Sequence, residues 1–553
     1  MILKSLLRLI LILSLSLVIA GIAGAQVVYE SDRTNSIYDF LDELANLRLI
    51  SINSAIKPYS RIFIAEKLSE ALKNAEHLNK RQKEEVAFYL QDYRLELCDT
   101  LKIDKRIPLL EDQKNMGFGY SPIGFTYQKF PLTFTLRPVF GIQYYFNENG
   151  SVSYFSGGGN FFGYIGKHIG IYAGVNSRYQ SQPLVKPEYF TEMDGYDWKT
   201  GTRGEVTNTE FTGGLTISWN WGDLGFIKDR PVWGNAEHGS NIFSGHAPSY
   251  PYIHLHVKPV KWIELYYLHG WLVSNVIDSS RSSFTGNEVK TIYRKKFIVA
   301  NFITFIPWRG LFLSFGNSII YNDDYPSVYY LIPFLFYNSV DAQMHAYNNN
   351  NGSNSQMFFD ICSRQIKHLK LYTCLFIDEL KVSRILDPQH YNFTSWKIGL
   401  KTSDLLIKNS FFIVEWTKTN PMTYKHFIKV TNFNNDNYNM GQYLRDNSQE
   451  FYLAFGIKPI QRLSFSASYG YTEHGGEYPY SNDPGIDVTA YPVLKDLTWQ
   501  SHDIQIMANY ELLNKVNCYV QFAGTHRRGD VQYGPAILMG NTYLMQVGLS
   551  LGL

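Results

Sequence analysis

Past its first 25 residues the chain holds no apolar run of roughly 18 residues, the length a spanning helix needs. With a mean hydropathy of −0.20, transmembrane helices are excluded. Cysteine is scarce too, four in 553 residues, which rules out a disulfide scaffold. Cys362 and Cys374 fall on strands expected to pair, so a cross-strand bridge stays open. Their register is one residue off the simplest hairpin, which favours free thiols, and Cys98 and Cys518 have no evident partner. An excess of one charge is also missing. Setting aside Lys4 and Arg8 of the leader leaves 49 of the 51 Lys+Arg against 49 Asp+Glu, a balance that speaks against nucleic acid as a partner. The spacings H-E-x-x-H and C-x-x-C and the Gly-rich phosphate loop do not occur. The chain therefore reads as a non-enzyme, without cofactor or metal. Glu237-His238 and Glu473-His474 are the nearest approach to acid and imidazole pairs, and such neighbours read as solvated loop positions.

Aromatic side chains are abundant: 41 Tyr, 36 Phe and 10 Trp make up 16% of the chain, enough to furnish two interfacial girdles and aromatic loops. The two ends agree with a membrane barrel. Lys4 and Arg8 precede an apolar run ending in Ala23-Gly24-Ala25, a secretory signal over 1–25 with the mature chain starting at Gln26. No cysteine follows the cleavage site, which argues against a lipid anchor. At the other end Tyr543, Met545, Val547, Leu549, Leu551 and Leu553 alternate with Thr542, Gln546, Gly548, Ser550 and Gly552, with Leu544 the one exception. A period of two is a strand with one apolar face, and its length suits the roughly 9–11 residues of a tilted bilayer-crossing strand. It reads as the closing strand of an outer-membrane barrel, the one offered to the barrel-assembly machinery.

Reading backwards, strands fall at about 516–524, 501–510, 463–471, 449–457, 410–417, 393–402, 371–381, 357–366, 311–320 and 293–306. Further strands fall at about 262–273, 251–257, 224–229, 209–220, 169–179, 157–165 and 132–146. Short turns such as Gly222-Asp223 and Lys258-Pro259-Val260-Lys261 alternate with long connections at about 180–208, 229–250, 275–292, 321–356, 418–447 and 473–500. The fold class is an all-β transmembrane barrel over 116–553 with about 18 antiparallel strands; Gly117 to Tyr127 could add another, so the range is 16 to 20. Both termini then face the periplasm, and the lumen has room to be open or plugged.

Residues 26–115 differ in pattern. Tyr38, Leu41, Leu44 and Leu47 recur at helical spacing. Ser60 can cap a helix carrying Ile64, Leu68, Ala71 and Leu72, and Asn79 one carrying Val86, Leu90 and Tyr93. Three short helices bury little alone, so they are expected to form a small bundle docked at the periplasmic mouth, the alternative being a detached periplasmic domain on a flexible tether near 100–115.

Two blocks carry a resemblance. The first is Tyr38-Asp39-Phe40-Leu41-Asp42-Glu43-Leu44 through Leu49-Ile50, followed by Lys57-Pro58-Tyr59-Ser60-Arg61. The second is Val232-Trp233-Gly234-Asn235, then Asn241-Ile242-Phe243-Ser244, Ala247-Pro248 and the strand from Tyr252. In order and spacing they resemble the Wzi family of capsule-assembly outer-membrane proteins. That resemblance implies a barrel of about this strand number with a periplasmic helical bundle, acting as a surface lectin that holds capsular polysaccharide on the cell. The Asn-rich loops 345–355 and 432–447 depart from the family, so the particular polymer does not carry over.

Sugar recognition asks for flat aromatic faces beside carboxylates and amides. Three clusters offer them: Glu188, Tyr189, Phe190, Asp194, Tyr196, Asp197 and Trp198; Tyr321, Asp323, Asp324, Tyr325, Tyr329 and Tyr330; and Tyr478, Tyr480, Asn482, Asp483 and Asp487. Residue by residue, a girdle or loop-solvation role competes; as sets, the clusters favour glycan contact. Trp233 is either a stacking platform or an anchor folding loop 229–250 over the lumen, and Gly234, Gly239 and Gly245 favour the anchor. The competing functional reading is a diffusion channel, which needs an open lumen.

Overall fold

The computed structural model describes residues 26–31, 36–97, 116–285, 288–348, 352–387, 389–481, 483 and 485–552. The signal segment 1–25 and the stretch 98–115, with Cys98, lie outside the described residues, as does Asn482.

Eighteen antiparallel strands close into a barrel. In chain order they are β1 (Leu132–Asn147), β2 (Gly150–Ile165), β3 (Ile169–Gln180), β4 (Val206–Trp219), β5 (Gly222–Asp229), β6 (Tyr250–Val260), β7 (Ile263–Leu272), β8 (Lys296–Trp308) and β9 (Leu311–Tyr321). The second half comprises β10 (Asn354–Ser363), β11 (Leu369–Glu379), β12 (Phe393–Ser403), β13 (Ser410–Thr419), β14 (Ser448–Ile460), β15 (Leu463–His474), β16 (Trp499–Leu513), β17 (Val516–Gly529) and β18 (Gly540–Leu551). Each follows a stretch whose side chains alternate apolar and polar. In β14, Phe451 and Phe455 stand outward and exposed while Glu450 and Ala454 are buried inward. Outward apolar residues exposed on a closed sheet are the lipid-facing band of a membrane barrel. Trp221, Trp262 and Trp308 are exposed at the end bearing the short turns, where interfacial aromatics belong.

The seam joins β18 to β1, Met545 opposite Phe146 through Leu551 opposite Phe140. The earlier half of β1 pairs instead with a hairpin, Met116–Tyr120 and Ile123–Lys129. The possible single strand Gly117 to Tyr127 is thus two short strands outside the eighteen. Pro122, in the turn between them, has no N–H to donate to a ladder, which breaks the run.

Among the described residues four α-helices precede the barrel: α1 (Ser36–Asn46), α2 (Arg61–Lys73), α3 (Lys80–Leu90) and the single turn α4 (Arg94–Leu97). Ser60 caps α2 by accepting from the Phe63 N–H at 3.3 Å, and Asn79 with Gln82 forms a reciprocal capping box at α3. Phe40, Leu41, Leu44, Ile64, Leu68 and Val86 make the bundle's core. The bundle docks on the turn end of the barrel: Asn46 Nδ2 donates to Ser403 Oγ at 3.0 Å and Asn514 Nδ2 to the Phe88 carbonyl at 3.0 Å. Ahead of it, Val27 presses against Gly170 of β3, where a Cβ would collide with its carbonyl. Thr216 donates to the same carbonyl.

Arg61 ties these parts together. Its buried guanidinium pairs with Glu30 (2.7 Å), Asp92 (3.1 Å) and Glu96 (2.6 Å), and lies 4.2 Å from the ring of Phe162 on β2. Burial by itself would lower the Arg61 pKa, but Glu96, Asp92 and Glu30 raise it well above its ordinary value. Arg61→Ala strands three carboxylates, a loss of about 3–5 kcal/mol. The expected outcome is a helical segment that becomes protease-sensitive while the barrel keeps its heat-modifiable mobility on SDS gels.

Candidate functional site

An eighteen-strand wall is too wide for its own side chains to fill. Here connections between strands fill it. In the loop after β5, Val232–Trp233 pairs with Phe243–Ser244 on one side and with Ile56–Lys57 of the N-terminal segment on the other. This small sheet lies inside the lumen. The Trp233 ring packs on Phe243 (5.0 Å between centroids), Phe302 of β8 (5.5 Å) and Phe358 of β10 (6.0 Å). Gly234 follows with φ of 114°, its N–H bonded to the Ala55 carbonyl at 2.7 Å. A Cβ there would sit 2.7 Å from Ser240 Oγ, so the turn requires glycine. Loop 420–447 folds inward as well: the Ser244 N–H reaches the Met440 carbonyl at 2.8 Å, and Tyr424 Oη donates to the Asn241 carbonyl at 2.7 Å. Ile56, Trp233, Phe243, Phe302, Phe358, Phe376, Tyr424 and Phe433 form one apolar cluster.

Beside that cluster runs a chain of buried charges. Asp42 of α1 and Glu237 of the plug share Lys370 of β11 and Lys401 of β12, with Lys401 at 3.1 and 2.8 Å; Arg364 also binds Asp42. Burial alone would raise the Asp42 carboxyl, yet Lys370, Lys401 and Arg364 hold it well below the usual carboxylate range. His238 stacks on Tyr452 at 3.6 Å and pairs with Glu450 (3.1 Å) and Glu192. The N–H groups of Glu237 and His238 both donate to Glu415, at 2.7 and 3.0 Å. The reading of Glu237 and His238 as solvated loop residues is therefore overturned, because the loop carrying them turns into the lumen. His474, read the same way, has no exposed surface.

Cys362 and Cys374 are free thiols lying diagonally, opposite Tyr372 and Asp360 respectively, and Cys374 Sγ donates to Asp360 Oδ2 at 2.6 Å. Among the described residues two groups bring three ligand atoms within 4.8 Å of one another: Glu192, His238 and Glu450, and Asp446, His474 and Glu477. In the first, His238 itself is the balancing cation. In the second, Lys425 lies 2.9 Å from Asp446 and Arg445 lies 2.8 Å from Glu477, so protein cations already neutralise the acids.

At the loop end the structure brings the first and third aromatic clusters to one mouth. Tyr196 is held between Arg178 (4.1 Å) and Arg230 (4.4 Å) and meets Trp198 edge-on at 5.3 Å. Glu210 pairs with Arg178 at 3.2 Å and with Arg230 at 2.8 Å. Tyr196 Oη donates to Asp194 at 3.1 Å, while Trp198 Nε1 has no hydrogen-bond partner among the described residues. Glu188 is exposed and Tyr189 half-buried under Lys186. Phe190 turns inward, stacked on His474 (4.5 Å) and Tyr533 (4.9 Å). Through Arg445 and Glu477 this group joins the third cluster, where Tyr478 stacks on Tyr491 at 4.5 Å and Tyr480 lies 6.2 Å from Phe427. Exposed Asp483 accepts from the Gly485 N–H within its own turn.

The second cluster is elsewhere. Tyr321 is buried on the outside of the wall, sharing a 2.7 Å hydrogen bond with His269. Asp324 pairs with Arg281, and Tyr325 is 78% exposed with Lys295 over its ring. Sequence reasoning passed over Arg178, Arg230 and Tyr491, which lie outside the clusters and reach the mouth only through strand ends and loop folding.

The imidazole of His238 gives a pH test. Burial would lower its pKa, but Glu192 and Glu450 raise it from 6.5 to about 10. A raised cation stabilises fully below the unfolded value and loses its contribution as pH climbs through the folded one. The melting-temperature gap between the protein and His238→Asn is expected to be widest at and below about pH 6.5 and to close as pH rises toward about 10. A gap independent of pH would contradict the ion pair.

No family model matches the sequence, and no curated protein matches it. Solved structures do. Wzi of Escherichia coli, described as an outer-membrane protein involved in group 1 capsule assembly and a carbohydrate-binding β-barrel, aligns with a TM-score of 0.56 at 11% identity, covering 96% of this chain and 100% of that one. OccD3 (OpdP) of Pseudomonas aeruginosa aligns at 0.42 and 10% identity over 75% of this chain and 90% of that one. OccAB2 of Acinetobacter baumannii aligns at 0.42 and 9% identity, covering 76% and 97%. This chain is an outer-membrane-type barrel with the fold of Wzi.

Proposed function

We propose that this barrel sits in the bacterial outer membrane, loop end outward and both termini in the periplasm, and binds and anchors capsular or other surface polysaccharide without catalysis. The observation that carries the proposal is a lumen filled by its own loops beneath a mouth lined with aromatic faces, arginines and carboxylates. The overall likeness to a carbohydrate-binding barrel adds support. In this reading Tyr189, Trp198, Tyr478 and Tyr480 offer ring faces to the C–H side of sugars. Glu188, Asp194 and Asp483 accept from hydroxyl groups. Each contact is weak; repetition along a polymer and across many copies supplies retention. β18, as the closing strand, is the segment on which barrel assembly acts.

Trp198→Ala combined with Tyr478→Ala removes one platform from each side of the mouth. Each loss is expected to weaken sugar contact about 2- to 10-fold, from the roughly 0.5–1.5 kcal/mol of an aromatic face. Polymer retained on cells should fall while barrel levels in the membrane stay equal; undiminished retention would overturn the proposal.

The diffusion-channel reading makes the opposite demand on the lumen. Purified protein in a planar bilayer is expected to be silent, and deletion of residues 231–248 to produce steady openings. Steady openings from the intact protein would instead favour a channel.

A further inference from the structure

On β7, β8 and β9 the odd-numbered side chains point away from the lumen, since the even-numbered Phe302 packs on Trp233 inside. Neighbouring outward residues such as Phe226, Phe315, Phe359 and Ile361 are exposed, as a lipid-facing wall requires. Yet outward Tyr267, His269, Val299, Asn301, Asn317, Ile319 and Tyr321 are buried. Their cover is the connection after β9. It leaves the rim, runs down the outside of the barrel and ends in helix α5 (Tyr337–Asn348).

The contacts are specific. Asn301 Nδ2 donates to the Leu335 carbonyl at 2.8 Å and Asn317 Nδ2 to Asn301 Oδ1 at 2.8 Å. The Tyr337 N–H donates to Asn317 Oδ1 at 2.9 Å, and Tyr267 Oη to the Tyr330 carbonyl at 3.1 Å. Hydrocarbon offers no hydrogen-bond partners, so amides on a lipid-facing wall need a protein cover.

Depth follows from the register. Asn301 lies seven residues before Trp308, which marks the turn-end interface. At about 3.3 Å per residue and a tilt near 45° that is roughly 16 Å, inside an apolar band about 25 Å tall. The cover itself is built for that depth. From Tyr325 to Val340 the sequence has no charged residue. Val328, Tyr329, Leu331, Ile332, Phe334 and Phe336 are exposed on it, whereas Arg281, Lys295 and Asp324 gather at its upper edge.

We propose that residues 325–340 form a flap held by hydrogen bonds against a polar window in the barrel wall, with its exposed apolar face embedded among the acyl chains of the bilayer. The flap continues the wall's lipid-facing surface, so its partner is membrane hydrocarbon. It also places Tyr321, Asp324 and Tyr325 on the membrane side of the rim, away from the mouth.

The test uses the full chain in lipid vesicles with Cys98→Ser and Cys518→Ser. Nitroxide is attached at Ile332→Cys or Phe334→Cys in the flap, or at Asp483→Cys in the mouth. All three side chains are exposed, so folding should persist, checked by heat-modifiable mobility; Val328→Cys is the substitute if one fails. Collisions with oxygen should exceed those with a water-soluble nickel chelate several-fold at 332 and 334, and the order should reverse at 483. Nickel dominating at 332 and 334 would overturn the proposal, as would exclusion of both agents, which would mean a protein covers the flap. In a second arm, Asn301→Leu with Asn317→Leu removes the clamp while keeping the wall apolar. The nitroxide at 334 should then become more mobile, and an unchanged line shape would overturn the hydrogen-bonded attachment.

Discussion

The structure depends on one constraint: within hydrocarbon, every backbone N–H and C=O must be paired inside the protein. A sheet meets that demand only by closing, and here β18 closes it on β1. Closure leaves alternate side chains facing lipid and lumen. Eighteen strands enclose a space that wall residues alone do not fill, so the chain's own connections occupy it. The small sheet of Ile56–Lys57, Val232–Trp233 and Phe243–Ser244 is the centre of that filling.

The filling is held from three sides. Asp42 comes from the helical bundle, Glu237 from the plug, and Arg364, Lys370 and Lys401 from the wall; each charge is buried and each has partners of opposite sign on another part of the chain. Removing one partner of such a group leaves an uncompensated charge in a poorly solvated space, which is costly. The network therefore specifies one arrangement of bundle, plug and wall more than it adds net stability. Arg61 performs the same service between the helices and β2.

Two loops of similar composition end in opposite environments. Both the 188–198 and the 321–340 stretches are rich in tyrosine with nearby acids. The first has Arg178 and Arg230 inside the barrel to stack on and pair with, so Tyr196 is drawn to the mouth. The second has a strip of outward Tyr267, His269, Asn301 and Asn317 to satisfy, so it is drawn down the outer wall. Composition is alike, and the partner surfaces decide.

Strands were legible because their signal is local: a period of two survives in any context where one face meets lipid, and the seventeen strands read backward from the last one all match observed strands. Helix caps were legible for the same reason, since Ser60 and Asn79 bond to N–H groups three residues on. Loop direction was not. Whether Glu237 and His238 face water or Lys370 and Glu450 depends on residues more than a hundred positions away, and no periodicity in the loop encodes that meeting. By itself the sequence determined a closed membrane barrel with a helical preface. Only the tertiary structure decided which loops fill the lumen, which form the mouth and which cover the wall, because those outcomes rest on long-range pairing of buried polar groups.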